Sequence, residues 1–240
     1  MNLLLLDSDD FIHDDQVVLR ERRAKHLKSV QKVAIGDSVR IGQINGRMGQ
    51  AIVTGIDENQ VTLAQLSLSQ QPPKPLPVHL ILALPRPKML RRIFQTAATM
   101  GVKHITLINA YKVEKSYWQT PFLQAEKIHE QLILGLEQAK DTLLPKVTLA
   151  KRFKPFVEDE LSIACRGKKN WVAHPYNSGA CPHDQSLEAP SSLAIGPEGG
   201  FIDYEVEKLS DIGFQSISLG DRILRVETAL PVLLAKLFNG

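Results

Sequence analysis

The chain contains few cysteines, and this limits both disulfide and metal chemistry. Its 240 residues include two cysteines, Cys165 and Cys181. Because cytosolic thiols stay reduced, we expect both to be free. Cys181 and His183 are close in sequence, with Cys165 and His174 nearby, but this spacing matches none of the usual zinc patterns. We therefore expect no metal site.

Long apolar runs are also missing. No segment approaches the roughly 20 apolar residues that span a bilayer, and we expect no membrane association. The apolar start, Met1 to Leu6, lacks basic residues and is followed at once by Asp7, which is unlike an export signal. Hydrophobic residues make up 43% and charged residues 23%, the balance of a soluble globular chain. These features predict a cytoplasmic protein.

Net charge is only +3 and aromatic residues make up only 6%, yet the basic residues are unevenly distributed. One cluster runs from Arg20 to Lys28 and a second from Arg86 to Arg92. Basic clusters attract phosphate backbones. The alternative is a solvated helix face, and neither cluster is interleaved with aromatics that would stack on bases. The candidate RNA-binding residues from these clusters are Arg22, Arg23, Lys25, Arg86 and Lys88.

A proline-rich stretch divides the sequence. Four prolines lie within six residues of 71–77, where they disfavour a helix or a central strand and favour a stiff, extended spacer. We predict a domain at 1–70, a linker at 71–77 and a second domain at 78–240.

The first domain is predicted to be mostly β. Three β-rich stretches, 39–44, 49–56 and 60–68, are separated by turn residues, and Asn45-Gly46 is a strong hairpin signal. A short helix is expected over 22–30. A small β-barrel with one helix suits about seventy residues, since a barrel closes its own edges.

The second domain alternates strands and helices, which predicts a parallel sheet covered by helices. We expect strands at 78–84, 105–109, 146–150, 170–174, 193–196 and 216–219. Expected helices are 89–100, 120–139 with Thr120 as its cap, one capped by Asp203 that ends at Gly213, and 227–238. The fold class is therefore α/β.

Three loops follow strands of this sheet, where open α/β sheets bind ligands. They are 173–175, 195–201 and 219–229. In the second loop, glycines allow close backbone approach and Pro197 stiffens the turn that carries Glu198. It matches neither the Walker nor the dinucleotide pattern, and a plain structural turn is the alternative. The third loop is apolar enough for a flat ligand such as adenine, or is a buried connection with salt-bridged arginines.

Two blocks carry a family resemblance, Ile195-Gly196-Pro197-Glu198-Gly199-Gly200 and the segment from Leu219 to Ala229. With their spacing, they resemble the RsmE family of 16S ribosomal RNA uridine-N3 methyltransferases, within the SPOUT superfamily. Weaker matches include His26-Leu27, Gly36-Asp37, Ala83-Leu84-Pro85, Gly101-Val102 and Glu137-Gln138. The chain departs from the family at Gln31, Lys32, Thr96 and Thr99, positions that the resemblance implies would face RNA.

The resemblance implies an N-terminal PUA-like β-barrel and a C-terminal SPOUT α/β domain with a deep trefoil knot. It also implies a homodimer, S-adenosylmethionine as cofactor and 16S ribosomal RNA as substrate. The residues that it places at the cofactor are His174, Pro175, Ile195, Gly196, Pro197, Glu198, Gly199, Gly200, Leu219, Gly220, Ile223, Leu224, Arg225, Thr228 and Ala229. Activity on another RNA position, or RNA binding without catalysis, would keep the same fold.

Three residues are candidates for the chemistry. Methylation at uridine N3 requires removal of a proton whose pKa lies well above neutral, so a base must come within about 3 Å. Glu198 or Glu227 could accept that proton or hold a water that does. Glu227 could instead serve only as a favourable carboxylate at a helix start. Arg225 could stabilise the anionic uracil oxygens, or it could be a structural strut.

Overall fold

The computed structural model describes residues 2–176 and 178–238, which form two compact units. The first unit takes Met1–Lys74 and also Leu136–Leu144, and the second takes Pro75–Gly135 and Pro145–Gly240. The chain first changes unit inside the proline-rich stretch that the sequence marks as a linker. The return of residues 136–144 to the first unit was not anticipated, because no composition change marks it.

The first unit is built on one six-stranded sheet in the order β1-β4-β5-β6-β3-β2. Its ladders are antiparallel, except that β1 runs parallel to β4. The strands are β1 (Leu4–Leu6), β2 (Phe11–His13), β3 (Gln16–Arg20), β4 (Ser38–Gln43), β5 (Met48–Ile56) and β6 (Gln60–Gln70). Between β3 and β4 lie helix α1 (Glu21–His26) and a π-helical turn (Leu27–Gln31).

Alternation along the strands places one face of this sheet in the core. Leu4, Leu6, Val17, Leu19, Ile41, Val53, Val61 and Leu63 are almost fully buried together with Leu27. The predicted Asn-Gly hairpin is confirmed: Asn45 adopts φ of +60°, and the Gly46 amide donates to the Gln43 carbonyl. The first three strands were not predicted, because β1 is buried on every residue and shows no alternation.

The second unit is built on a seven-stranded sheet in the order β11-β13-β10-β12-β7-β8-β9, with every ladder parallel. The predicted parallel sheet is therefore confirmed. Its strands are β7 (Val78–Ala83), β8 (His104–Ile108), β9 (Lys146–Ala150), β10 (Lys169–Ala173), β11 (Gly179–Ala180), β12 (Ser191–Ile195) and β13 (Gln215–Ser218).

Helices connect these strands. They are α2 (Pro87–Thr99), α3 (Ala125–Ala139), α4 (Phe153–Pro155), a π-helical segment (Phe156–Leu161), α5 (Ser162–Ala164), α6 (Asp203–Asp211) and α7 (Val226–Leu237). Within the described residues, no helix is both long and apolar enough to cross a membrane.

Two predicted helix starts are wrong. Thr120 caps only a short 3-10 turn (Pro121–Leu123), where its hydroxyl accepts the Phe122 amide, and α3 begins later at Ala125. Asp203 is the first residue of α6 rather than its cap. The cap position is Ile202, whose amide donates to the Glu205 carboxylate over 3.0 Å. The capping interaction predicted for Asp203 is therefore made by Glu205, the third residue of the helix.

A glycine pair in β5 offers a test of sheet packing. A Cβ on Gly49 would lie 1.6 Å from the Ser67 carbonyl oxygen, whereas a Cβ on Gly55 would make ordinary contact with Thr62 at 3.4 Å. Because backbone cannot give way cheaply, Gly49→Ala should lower the free energy of unfolding by about 3 kcal/mol. Gly55→Ala, the matched control, should change it much less. Urea unfolding midpoints measure both, and equal effects would contradict the packing described.

Candidate functional site

Because all strands of the second unit run the same way, their carboxyl ends meet at one edge, and a cavity of about 590 Å³ opens there. Its lining comes from the segments after β8, β10, β12 and β13 and from the first turns of α7. The volume lies in the range of small-molecule sites. The edge is where ligands bind in open α/β sheets.

Most of the residues that were assigned to a cofactor from sequence line this one cavity. They are His174, Pro175, Ile195, Gly196, Pro197, Glu198, Gly199, Gly200, Leu219, Gly220, Ile223, Leu224 and Ala229. Arg225 and Thr228 lie next to lining residues but are not among the described residues that form the wall. The structure thus brings three separated segments together.

The 195–201 loop is a tight turn in which steric contacts require a glycine at position 196. The Gly200 amide donates to the Pro197 carbonyl over 2.8 Å. A Cβ on Gly196 would stand 2.9 Å from the backbone nitrogen of the buried Phe201, so a larger residue would push the loop out of place. The turn leaves backbone of the loop facing the cavity, where a ligand can approach it closely.

Glu198 stands on this turn with its side chain about 29% exposed. One carboxylate oxygen accepts the Arg86 backbone amide over 3.3 Å, and the Arg86 Nε atom lies 3.7 Å from it. Arg86, a candidate RNA-binding residue, is therefore already beside a carboxylate. The pair is well exposed to water, so it contributes little to stability and can separate easily.

Lys112 is a wall residue that the sequence reading missed. It follows β8, and its Nζ donates to the Gly199 carbonyl over 2.7 Å, which places a positive charge in the lining beside the glycine turn. The signal that could have found it is its position after a strand of the same parallel sheet.

A buried carboxylate holds two of the wall segments in register. Glu205 of α6 is 3% exposed and accepts the Tyr111 amide over 2.7 Å and the Ile202 amide over 3.0 Å. Tyr111 precedes Lys112, and Ile202 follows the glycine turn. One side chain therefore fixes the segment after β8 against the segment after β12. Sequence alone shows Glu205 only as one more charged residue on a helix.

His174 presents an unsatisfied ring nitrogen at the cavity. Its Nδ1 atom is buried and has no hydrogen-bond partner among the described residues, while its backbone amide donates to the Ile217 carbonyl. Burial lowers the pKa of this imidazole, opposed by the nearby Asp203 carboxylate. The ring is therefore neutral at neutral pH and can either accept or donate one hydrogen bond to a bound molecule.

The loop after β13 is exposed rather than a buried connection. Ile223 is 67% exposed, and Arg222 and Arg225 are also exposed. No described carboxylate lies within ion-pair distance of either arginine. The idea of a buried segment with salt-bridged arginines is therefore wrong for this chain. An open apolar wall at Ile223 and Leu224 is what a flat apolar ligand needs.

The two remaining candidates for chemistry lie where this loop enters α7. Arg225 occupies the cap position, and its carbonyl accepts the Thr228 and Ala229 amides. Its side chain is exposed and has no described partner that would make it a strut. Glu227 lies in the first turn of α7 and, among the described residues, is not part of the cavity wall. A carboxylate at this position is stabilised by the partial positive charge of the helix N-terminus.

The candidate RNA-binding residues of the first unit differ in whether their side chains already have partners within the protein. Arg23 makes two hydrogen bonds to the Asp10 carboxylate, at 2.5 and 2.6 Å, and a third to the Leu5 carbonyl. The Arg22 Nη1 atom lies 2.8 Å from Oε2 of the buried Glu137, an ion pair without hydrogen-bond alignment. The Lys25 side chain is exposed and has no described partner, and the same holds for the Lys88 side chain in the second unit.

The two cysteines are buried, free thiols. Across residues 2–176 and 178–238, no group of three or more His, Cys, Asp or Glu side chains is arranged to hold a metal ion.

The Glu205 bridge can be tested by removing one acceptor. In Glu205→Gln an amide NH₂ must face one of the two backbone amides, which leaves a buried donor unpaired and should cost about 2 kcal/mol. Glu207→Gln, an exposed change on the same helix, should be nearly neutral. Thermal unfolding and hydrogen exchange at the Tyr111 and Ile202 amides report the effect. Unchanged exchange at both amides would contradict the bridge.

Comparison with known proteins agrees with this architecture. Residues 72–238 match the model of the RNA methyltransferase domain family. The chain is 30% identical over 232 residues to ribosomal RNA small subunit methyltransferase E of Treponema pallidum, covering 95% of this chain and 87% of that protein. The Synechocystis protein of the same name is 28% identical over 238 residues, covering 97% and 76%.

Solved structures show the same fold. A methyltransferase from Legionella pneumophila, solved with bound S-adenosylmethionine, superposes with a TM-score of 0.76 at 22% identity, over 98% of this chain and 95% of that chain. Ribosomal RNA small subunit methyltransferase E from Neisseria gonorrhoeae, also bound to S-adenosylmethionine, gives 0.74 at 17% identity over the same shares. The chain therefore belongs to the RNA methyltransferase family that includes ribosomal RNA small subunit methyltransferase E.

Proposed function

We propose that this protein is an S-adenosylmethionine-dependent methyltransferase of small-subunit ribosomal RNA that acts on N3 of a uridine. The observation that carries the proposal is the cavity at the carboxyl edge of the second unit. It joins the glycine turn at 196–200 to the apolar loop at 219–224, in a chain of the RNA methyltransferase family.

The residues of the cavity fit the cofactor. Ile223 and Leu224 offer an apolar wall for the adenine ring. The unpartnered Nδ1 atom of His174 and the backbone around Gly196 and Gly220 offer polar contacts for the ribose and the methionine tail. When bound, S-adenosylmethionine supplies an activated methyl group, so the protein has mainly to position the acceptor.

The chain's own residues would then handle the proton and the charge of the uracil. Glu198 is the better placed of the two candidate bases, because it lies in the cavity wall and its Arg86 partner is exposed and easily displaced. It would take the N3 proton directly or through a water. Arg225, exposed beside the wall, would place its planar charge against the uracil oxygens as they become anionic. Glu227 would not take part in the proton transfer, and its negative charge would only stabilise the start of α7.

The finer features of the fold belong to the same proposal. We infer that the first unit is a PUA-like barrel that contacts RNA, with Lys25 the most available of its candidate residues. In the second unit, β13 lies between β10 and β11 although it follows both in sequence. This order supports a trefoil knot in which the C-terminal segment passes under the β10–β11 connection. We further infer a cytoplasmic homodimer.

Cofactor binding and methyl transfer test the function directly. Chelator-treated protein should bind S-adenosylmethionine in a calorimetric titration, and it should transfer labelled methyl groups to small-subunit RNA from a strain that lacks this gene. Mapping the modified nucleotide should find one uridine methylated at N3. No binding at millimolar cofactor would reject a methyltransferase. Transfer to another position would keep the enzyme and change the substrate, and RNA binding without transfer would indicate a binder.

Arg225 can be tested apart from the cofactor. Because Arg225 is exposed and lacks a described partner, Arg225→Lys should leave the melting temperature and cofactor affinity nearly unchanged. If the guanidinium stabilises the transition state, single-turnover methyl transfer should slow on the order of 100-fold. Arg152→Lys, an equally conservative change at an exposed arginine of the same unit that lies outside the cavity wall, is the comparison and should keep the normal rate. A normal rate, or early melting with loss of cofactor binding, would contradict the role given to Arg225.

A further inference from the structure

A second cavity, of about 610 Å³, lies at the amino edge of the same sheet, and nothing in the proposed reaction uses it. Its floor is formed by the first residues of β7, β8 and β9. The π-helical segment, α5, residues 75–77, Lys168 and Pro190 complete the wall. The methyl-donor cavity lies at the carboxyl ends of these strands, about 16 Å away for a strand of five residues.

Strand register arranges polar side chains in rows on the floor of this cavity. His79 is the ladder partner of His104, and His104 is the partner of Lys146. Two residues further along, Thr106 is the partner of Thr148. Paired residues of parallel strands share a face and stand about 4.8 Å apart. A parallel sheet usually covers such a face with apolar helix contacts, so this polar face is unusual.

The charge in the cavity is predominantly positive. Lys103, Lys146 and Lys168 line it with a single carboxylate, that of Glu160. His79 adds no charge at neutral pH, because burial lowers its pKa to about 4, and its Nε2 atom is hydrogen-bonded to the Thr106 hydroxyl at 2.8 Å. The Lys146 side chain is exposed and Lys168 half-buried, and neither has an ion-pair partner among the described residues.

The opposite wall is apolar. Leu76 and Phe156 contribute it, and Phe156 is 5% exposed, so the ring is held firmly by the helical segment. A cavity with two unpaired ammonium groups on one side and an apolar wall on the other suits a ligand that carries an anion on a flat or apolar body. A nucleotide has this chemistry, with its phosphate on the lysines and its sugar and base against the wall.

We propose that this cavity binds one nucleotide of an RNA strand, with Lys146 and Lys168 on its phosphate, at a site separate from the uridine to be methylated. The choice of RNA rests on the proposed function, and a free mononucleotide has the same chemistry. Such a contact would hold a distant part of the substrate strand. It would raise affinity for RNA without touching the cofactor or the reacting base.

Two double variants of equal charge test the site in the full-length protein. Lys146→Gln with Lys168→Gln removes the two cations of the cavity. Lys127→Gln with Lys151→Gln removes two exposed cations of the same unit that lie outside it. The probes are a labelled single-stranded oligoribonucleotide, measured by anisotropy over a range of salt concentrations, and AMP as a competitor. Cofactor titration and thermal melting show that each variant is folded.

The cavity variant should bind the oligoribonucleotide more weakly than the control variant. Its plot of log affinity against log salt should flatten by about 0.7, because the two lysines together neutralise one phosphate of the strand. Cofactor affinity should not change. Displacement of the oligoribonucleotide by AMP in wild type but not in the cavity variant would assign the site to free nucleotides as well. Equal weakening in both double variants, or in neither, would overturn the site.

The site and the proposed function can fail separately. Wild-type protein that binds RNA through the cavity but transfers no methyl group would reject the function and keep the site. Normal methyl transfer with no difference between the two double variants would keep the function and reject the site.

Discussion

The common direction of the seven strands in the second unit is the constraint on which the rest of this molecule depends. Parallel strands need a crossover for every connection, so each strand end is followed by a segment that starts at the same edge. Segments as distant in sequence as 112 and 223 therefore meet around one cavity. The amino ends meet at the opposite edge by the same rule. The two edges carry different chemistry, since glycine turns and an apolar loop dominate the first and three lysines line the second.

Convergence alone would leave the wall segments loose, and specific contacts fix them. The Glu205 carboxylate joins the segment after β8 to the segment after β12, and the Lys112 ammonium donates a hydrogen bond to the Gly199 carbonyl of the glycine turn. Phe201 packs against Gly196, where a larger residue would clash. The centroid of its ring also lies 6.3 Å from that of Phe153. The exposed loop at 222–225 forms no comparable bonds with the part of the chain that the structure describes. The wall is thus firm on the side of the glycine turn and open on the side of the arginines.

The sequence predicts the parts of this structure whose signals are local. Asn45-Gly46 specifies its hairpin, and alternating strands and helices specify a parallel sheet, so most strands are placed within one or two residues. The glycine turn and the apolar loop are recognisable because their residues are contiguous. What local patterns cannot show are long-range pairings. Nothing local in the sequence shows that Arg23 is hydrogen-bonded to Asp10. Nor does it show that Glu205 is buried and accepts two backbone amides rather than lying on the surface.

The membership of residues 136–144 in the first unit has a consequence for how the chain can be made and divided. The Thr142 hydroxyl donates to the Gly46 carbonyl, and the amides of Asn2 and Leu3 donate to the Glu137 carbonyl. During synthesis, domains tend to fold as they emerge. Here the N-terminal unit must wait for about sixty residues of its neighbour, 75–135, before its last segment leaves the ribosome. Cutting the gene at the proline-rich linker would therefore yield an incomplete unit, and the two units have to be inherited as one piece.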